Sequence, residues 1–101
     1  MKVKTNNKII DLVIAKKFHQ KLLGFMFKKN INHAIRFKTN SIHTFFMKSN
    51  IDVIMTDKNN NVLYIFKNIT KNKIIIKKNV YYTYEFPPNY IDNNLEKIEI
   101  L

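Results

Sequence analysis

The sequence predicts a mainly β domain of the α+β class, with one short amphipathic helix. Three observations carry this prediction. Short apolar runs rich in Ile, Val, Tyr and Phe recur along the chain, each bounded by asparagine, lysine or proline clusters. One segment, Ala15 to Met26, changes period: Ala15, Phe18, Leu22, Phe25 and Met26 share one arc at about 100° per residue, while Lys17, Lys21 and Lys28 cluster opposite. The run Val62 to Phe66 (VLYIF) is apolar on both faces, which implies burial on two sides, so the sheet closes on itself or is covered by the helix.

In chain order, Lys8 to Ile14 (KIIDLVI) reads as a strand, and the helix follows. Gly24, the only glycine, lies near the helix end and marks a cap or a close backbone approach. The runs His33 to Lys38 (HAIRFK) and Ile51 to Thr56 (IDVIMT) are strands. Asp57-Lys58-Asn59-Asn60-Asn61 then turns the chain into Val62 to Phe66, making a hairpin. Asparagine tolerates positive φ and forms Asx turns, so asparagines are expected to do here the turn work that glycine does elsewhere. Lys73 to Lys77 and Tyr81 to Phe86 supply two more strands, Pro87-Pro88 ends the second, and Lys97 to Leu101 (KIEIL) is the last.

Composition bounds the function. The 101 residues form a single domain spanning 1–101, and a hydrophobic fraction of 46% with 13% aromatic suffices for a packed core. No apolar run approaches the roughly 20 residues of a membrane span. The opening MKVKTNNKIIDLVIAKK has an apolar segment too short, and too soon interrupted by Asp11, for a signal peptide, so a cytoplasmic protein without membrane contact is expected; a monomer is expected as well. With no cysteine there is no disulfide framework, thiolate metal site or thiol nucleophile. The net charge of +11 resembles a nucleic-acid footprint, since lysines on phosphates release counterions. A plainer source competes with it: Lys, Asn and Ile number 17, 15 and 16, and all three have AT-rich codons. Arginine, the bidentate phosphate reader, occurs once, at Arg36.

The chemistry-bearing residues concentrate in Ser41 to Asp57, SIHTFFMKSNIDVIMTD, where His43, Thr44 and Asp52 interrupt apolar runs. Polar groups facing a core are costly unless hydrogen-bonded, so the block is a site or an internal network. Strand alternation puts Asp52 on one face with Ile54 and Thr56, its carboxylate accepting bonds from the preceding turn or from His43.

Four blocks in order complete the picture: Leu23-Gly24-Phe25-Met26; Ala34-Ile35-Arg36-Phe37; His43-Thr44-Phe45-Phe46-Met47 with Ile51-Asp52-Val53; and Tyr84-Glu85-Phe86-Pro87. Over residues 12 to 91 this order resembles a widespread family of small uncharacterised prokaryotic proteins, a domain of unknown function with G-L-M, H-T-x-x-M, I-D-V and L-E-x-P-x-G motifs. The resemblance implies a small, partly open β-barrel-like sheet with one short helix, and no assigned activity. It carries over Gly24, Met26, His43, Thr44, Met47, Asp52, Glu85 and Pro87. Asn89 stands where the family has its closing glycine, a swap that the left-handed tolerance of asparagine permits.

These residues support one lead reading and several alternatives. The lead is a noncatalytic module that binds a small molecule or a protein partner through His43, Thr44, Asp52 and Glu85, with no cofactor. The alternative is RNA or another polyanion on Lys58, Lys67, Lys71, Lys73, Lys77 and Lys78, beside the aromatics Tyr64, Phe66, Tyr81, Tyr82 and Tyr84. A hydrolase using His43, oriented by Asp52 or Glu85, lacks an identifiable nucleophile among Ser41, Thr44 and Ser49. A metal site is not expected, because His19, His33 and His43 lack the i, i+4 pairing of helical zinc motifs.

Overall fold

The computed structural model describes residues 1–15, 31–45 and 47–101. Within them run nine strands: β1 (Lys2–Thr5), β2 (Lys8–Ala15), β3 (Ala34–Phe37), β4 (Ser41–His43), β5 (Ile51–Thr56), β6 (Val62–Ile69), β7 (Ile74–Ile76), β8 (Tyr82–Phe86) and β9 (Glu99–Ile100). The expected helix over Ala15 to Met26, with Gly24 and Met26, lies outside the described residues, apart from Ala15, which is the last residue of β2. The described residues contain no helix. β1 was not foreseen, because KVKT offers a single apolar side chain to mark it.

Asparagine makes the turns. Among the described residues, every non-glycine residue with positive φ is an asparagine: Asn6, Asn60, Asn68, Asn72, Asn79 and Asn89, at φ between 52° and 66°. Its short side chain can bond locally, which eases the left-handed conformation that most residues avoid. The β5–β6 turn adds an acceptor. The Asp57 carboxylate takes the N–H groups of Asn59 (2.9 Å) and Asn61 (3.0 Å) on Oδ1 and the Asn61 amide on Oδ2 (3.0 Å).

Seven strands form one sheet in the order β6-β5-β8-β3-β2-β1-β9. Its neighbours are antiparallel except the parallel pair β2 and β3. The edges meet at one end: Asn61 bridges Lys97, the Val62 N–H bonds the Glu96 carbonyl at 2.9 Å, and the Ile98 N–H bonds the Asn60 carbonyl at 3.1 Å. The result is a curled half-barrel.

Alternation sorts the side chains into two cores. Inside the curl pack Val3, Leu12, Ala34, Ile54, Tyr84, Phe86, Ile91, Leu95 and Ile98. On the outer face, Ile35, Phe37, Ile51, Val53 and Met55 pack with Ile42 and Met47. Ile42 and its partner Ile75 belong to a separate two-stranded sheet of β4 and β7, so this ribbon is a second layer over the outer face. Val62 to Phe66 packs on both faces as expected, Val62 and Ile65 against the inner core and Tyr64 and Phe66 against the outer one, but only in part; complete burial belongs to β5, whose six residues are all buried between β6 and β8. β6 is an edge strand with Leu63 exposed. An edge has a neighbour on one side only, so apolar residues on both of its faces do not by themselves enclose it.

Candidate functional site

Asp52 and Thr44 each clamp a connection. Asp52 sits in β5 opposite a register shift in β6, where Ile51 pairs with Ile69 and Val53 with Phe66. Its Oδ1 accepts the backbone N–H groups of Asn68 (2.9 Å) and Asn89 (3.1 Å), and its Oδ2 accepts that of Ile91 (2.9 Å). Two of the three donors come from left-handed asparagines, whose amides also bond each other, Asn68 Nδ2 to Asn89 Oδ1 at 2.5 Å. The expectation that Asp52 accepts hydrogen bonds holds, but its partners are neither the preceding turn nor His43. They are 16, 37 and 39 residues downstream, a separation that strand alternation cannot reveal.

Thr44 is equally enclosed. Its hydroxyl donates to the Thr70 carbonyl at 2.7 Å and accepts the Lys73 N–H at 2.8 Å. Its backbone N–H bonds the Lys73 carbonyl at 2.9 Å, and its carbonyl takes the Asn72 N–H at 3.1 Å. This fixes the β6–β7 turn onto the segment after β4. Thr44 and Asp52 therefore belong to two separate clamps rather than to one internal network, and neither clamp bonds His43.

His43 is half-buried at the end of β4, its ring stacked on that of Phe45 with centroids 5.2 Å apart. Its Nδ1 is shielded from solvent and has no hydrogen-bond partner among the described residues. Glu85 lies on β8 opposite Ile35 and Val53, so its buried carboxylate leaves the sheet on the outer face. Asp52 pairs with Phe86 and faces the inner core. The sheet itself thus separates Asp52 from Glu85, and the four residues are not gathered into one cluster. Tyr84, also on the inner face, donates to Asn60 Oδ1 at 2.5 Å, and burial pushes its phenol up to about 12. No group of three metal-ligating side chains occurs among the described residues.

The six lysines divide. Lys67 donates to the Ile91 carbonyl and belongs to the Asp52 clamp, while Lys58 sits in the β5–β6 turn. Lys71, Lys73, Lys77 and Lys78 flank β7. Lys77 lies over the rings of Tyr64 and Phe66, at 5.3 and 5.8 Å. The ion pairs among the described residues are Lys2 with Asp11 and Lys8 with Asp92, on β1, β2 and the segment after β8. Apart from the buried Asp52 and Glu85, the acids are Asp11, Asp57, Asp92, Glu96 and Glu99, and none lies on β4, β7 or their flanking turns. The strand expected over Lys73 to Lys77 forms at Ile74–Ile76 and has an exposed side that was not foreseen: Ile74 and Ile76 are 63% and 66% exposed. The signal was present in KNKIIIKKN, an apolar triplet set between lysines.

The fold is shared with two solved proteins at low sequence identity. One, a protein of unknown function from Novosphingobium aromaticivorans DSM 12444, superposes with a TM-score of 0.83 at 12% identity, covering 98% of this chain and 84% of the other. The second, a candidate transcription regulator from Sinorhizobium meliloti 1021, gives 0.78 at 14% identity, covering 97% and 91%. No curated protein matches. Residues 1–97 match the DUF192 family, described as Uncharacterized ACR, and the chain belongs to that family.

Proposed function

We propose that this domain is a noncatalytic binding module, that its contact surface is the outer layer formed by β4 and β7, and that its partner is anionic. The observation that carries this reading is the segregation of charge. Lys71, Lys73, Lys77 and Lys78 stand around one short strand with no carboxylate paired to them, while both ion pairs among the described residues lie elsewhere. Codon bias supplies lysines, but it does not remove acids from one layer of a fold. His43 and the exposed ring of Phe45 belong to the same layer, so the polar residue of the H-T-x-x-M block lies beside the basic surface.

Nucleic acid is the second polyanion to weigh, and the aromatics argue against it. Base stacking needs exposed rings. Tyr84 is fully buried, Tyr64 and Phe66 pack in the outer core, and Tyr82 lies under Arg36 at 4.3 Å. Tyr81 alone of these five is exposed, at 37%, and Lys38 sits over it at 5.0 Å, while the equally exposed Phe45 already stacks on His43 at 5.2 Å.

Titration with short fluorescein-labelled polyglutamate, followed by anisotropy, tests the proposal, with a single-stranded RNA oligomer in parallel. Reversing Lys71, Lys73 and Lys78 to glutamate is expected to weaken polyglutamate binding by about tenfold or more, and salt to weaken it further. The control reversal of Lys4, Lys58 and Lys97 changes net charge equally and is expected to matter far less. Equal losses in both triples would reduce the effect to overall charge and overturn the proposal, as would tighter binding of the RNA.

A further inference from the structure

We propose that the free edge of β7 receives an extended acidic peptide of a partner protein as an added strand. This rests on the binding surface proposed above and names its occupant.

The ribbon's own hydrogen bonds locate the edge. Thr44 N–H bonds the Lys73 carbonyl and Lys77 N–H bonds the Asn40 carbonyl, at 2.9 and 3.1 Å, so the pairs 44/73 and 40/77 bond across the ribbon. In an antiparallel ladder bonded pairs recur every second residue, which makes Ile42 and Ile75 the bonded pair between them. The N–H and C=O groups of Ile74 and Ile76 therefore point away from β4. Among the described residues nothing bonds them, and both side chains are highly exposed. Two residues with outward donors and acceptors offer four main-chain hydrogen bonds.

A peptide satisfies this pattern. A nucleic acid or a lipid surface has no matching alternation of N–H and C=O at strand spacing. Side-chain chemistry then fixes the kind of peptide. Residues of the added strand opposite Ile74 and Ile76 share their outward face and meet exposed isoleucine, so they are apolar. Residues opposite Lys73 and Lys77 point to the other face, where directly opposed unlike charges stabilise a pair of strands and like charges destabilise it. They are acidic. Lys77 is already held, its ammonium over Tyr64 and Phe66, which reduces the entropy lost when a carboxylate meets it.

The same lysines discriminate between occupants. Lysines beside an exposed edge repel a second copy of that edge, a common protection against aggregation. They admit a strand that carries carboxylates. Selectivity here comes from repulsion of the wrong strand as much as attraction of the right one.

The experiment uses the full chain and a labelled peptide of alternating Glu and Val, with Ile76→Pro as the main variant. Proline removes one outward N–H and keeps every lysine; it is tolerated on an edge strand whose N–H faces solvent. The expected result is an unchanged circular dichroism spectrum and at least about tenfold weaker peptide binding. Wild-type affinity in the variant would overturn strand addition. A second arm holds even if the variant misfolds: the same peptide N-methylated at alternate residues keeps its charge and side chains but loses one edge of donors. Binding as tight as the parent peptide would overturn the proposal, whereas loss of binding for the methylated register that faces β7 supports it. If polyglutamate still binds through Lys71, Lys73 and Lys78 while both strand tests fail, the anionic surface stands and the added strand does not.

Discussion

Asp52 shows how one buried side chain can fix three distant backbone groups. A fully buried carboxylate with three N–H donors forms charge-assisted bonds, and its removal leaves the buried Ile91 N–H and the part-buried Asn68 and Asn89 N–H groups without this acceptor. Asp52→Ala is expected to cost about 3 kcal/mol in denaturant unfolding at constant m. Asp52→Asn keeps the Oδ1 acceptor for Asn68 and Asn89 but turns an amide donor toward the Ile91 N–H, and is expected to cost less, about 1–2 kcal/mol. An unchanged midpoint for Asp52→Ala would show that the clamp is not structural. The left-handed asparagines give a second test at this scale. At Asn72 and Asn79, whose φ is 66°, substitution by glycine is expected to leave stability within about 0.5 kcal/mol, and substitution by alanine to cost about 1 kcal/mol.

At the scale of elements, hairpins depend on their turns, and the β5–β6 turn depends on an ionised carboxylate. The bond from the Asn61 side-chain amide, ahead of the backbone N–H bonds, holds the Asp57 carboxyl below its usual value. A depressed carboxyl contributes stability that is fully present above its unfolded pKa and is lost as pH falls through the lower folded value. The stability difference between the native chain and Asp57→Ala is therefore expected to be largest near neutral pH and to shrink below about pH 4. A difference independent of pH would mean that the turn is set by its asparagines alone. Most elements are legible in the sequence because most strands carry an apolar run and most turns an asparagine. The strand Ile51 to Thr56 was read to its exact bounds, and Asn89 took the left-handed conformation expected of a glycine replacement. β1 was not legible, and neither was the edge position of β6, since a strand's place in a sheet is decided by partners far along the chain.

At the scale of the whole molecule, the curled sheet holds one core and the ribbon seals a second, which leaves β7 as an outer edge. The candidate residues were legible one at a time but not as a group. His43, Thr44, Asp52 and Glu85 stood out as polar residues in apolar runs, yet which side of the sheet each faces depends on the pairings of β5 and β8, so Asp52 and Glu85 end on opposite faces. The basic surface was legible only as a count of lysines; its segregation from the acids required the fold. Edge strands are where sheets recruit other chains, and among the described residues the unpaired edge of β7 and the uncompensated lysines coincide.

Amide hydrogen exchange, resolved by residue with and without the Glu-Val peptide, tests that coincidence most directly. An added strand is expected to slow exchange at Ile74 and Ile76, whose N–H groups point outward, while Ile75, already bonded to β4, changes little. Protection confined to β6 or β9, or uniform across the molecule, would contradict the account.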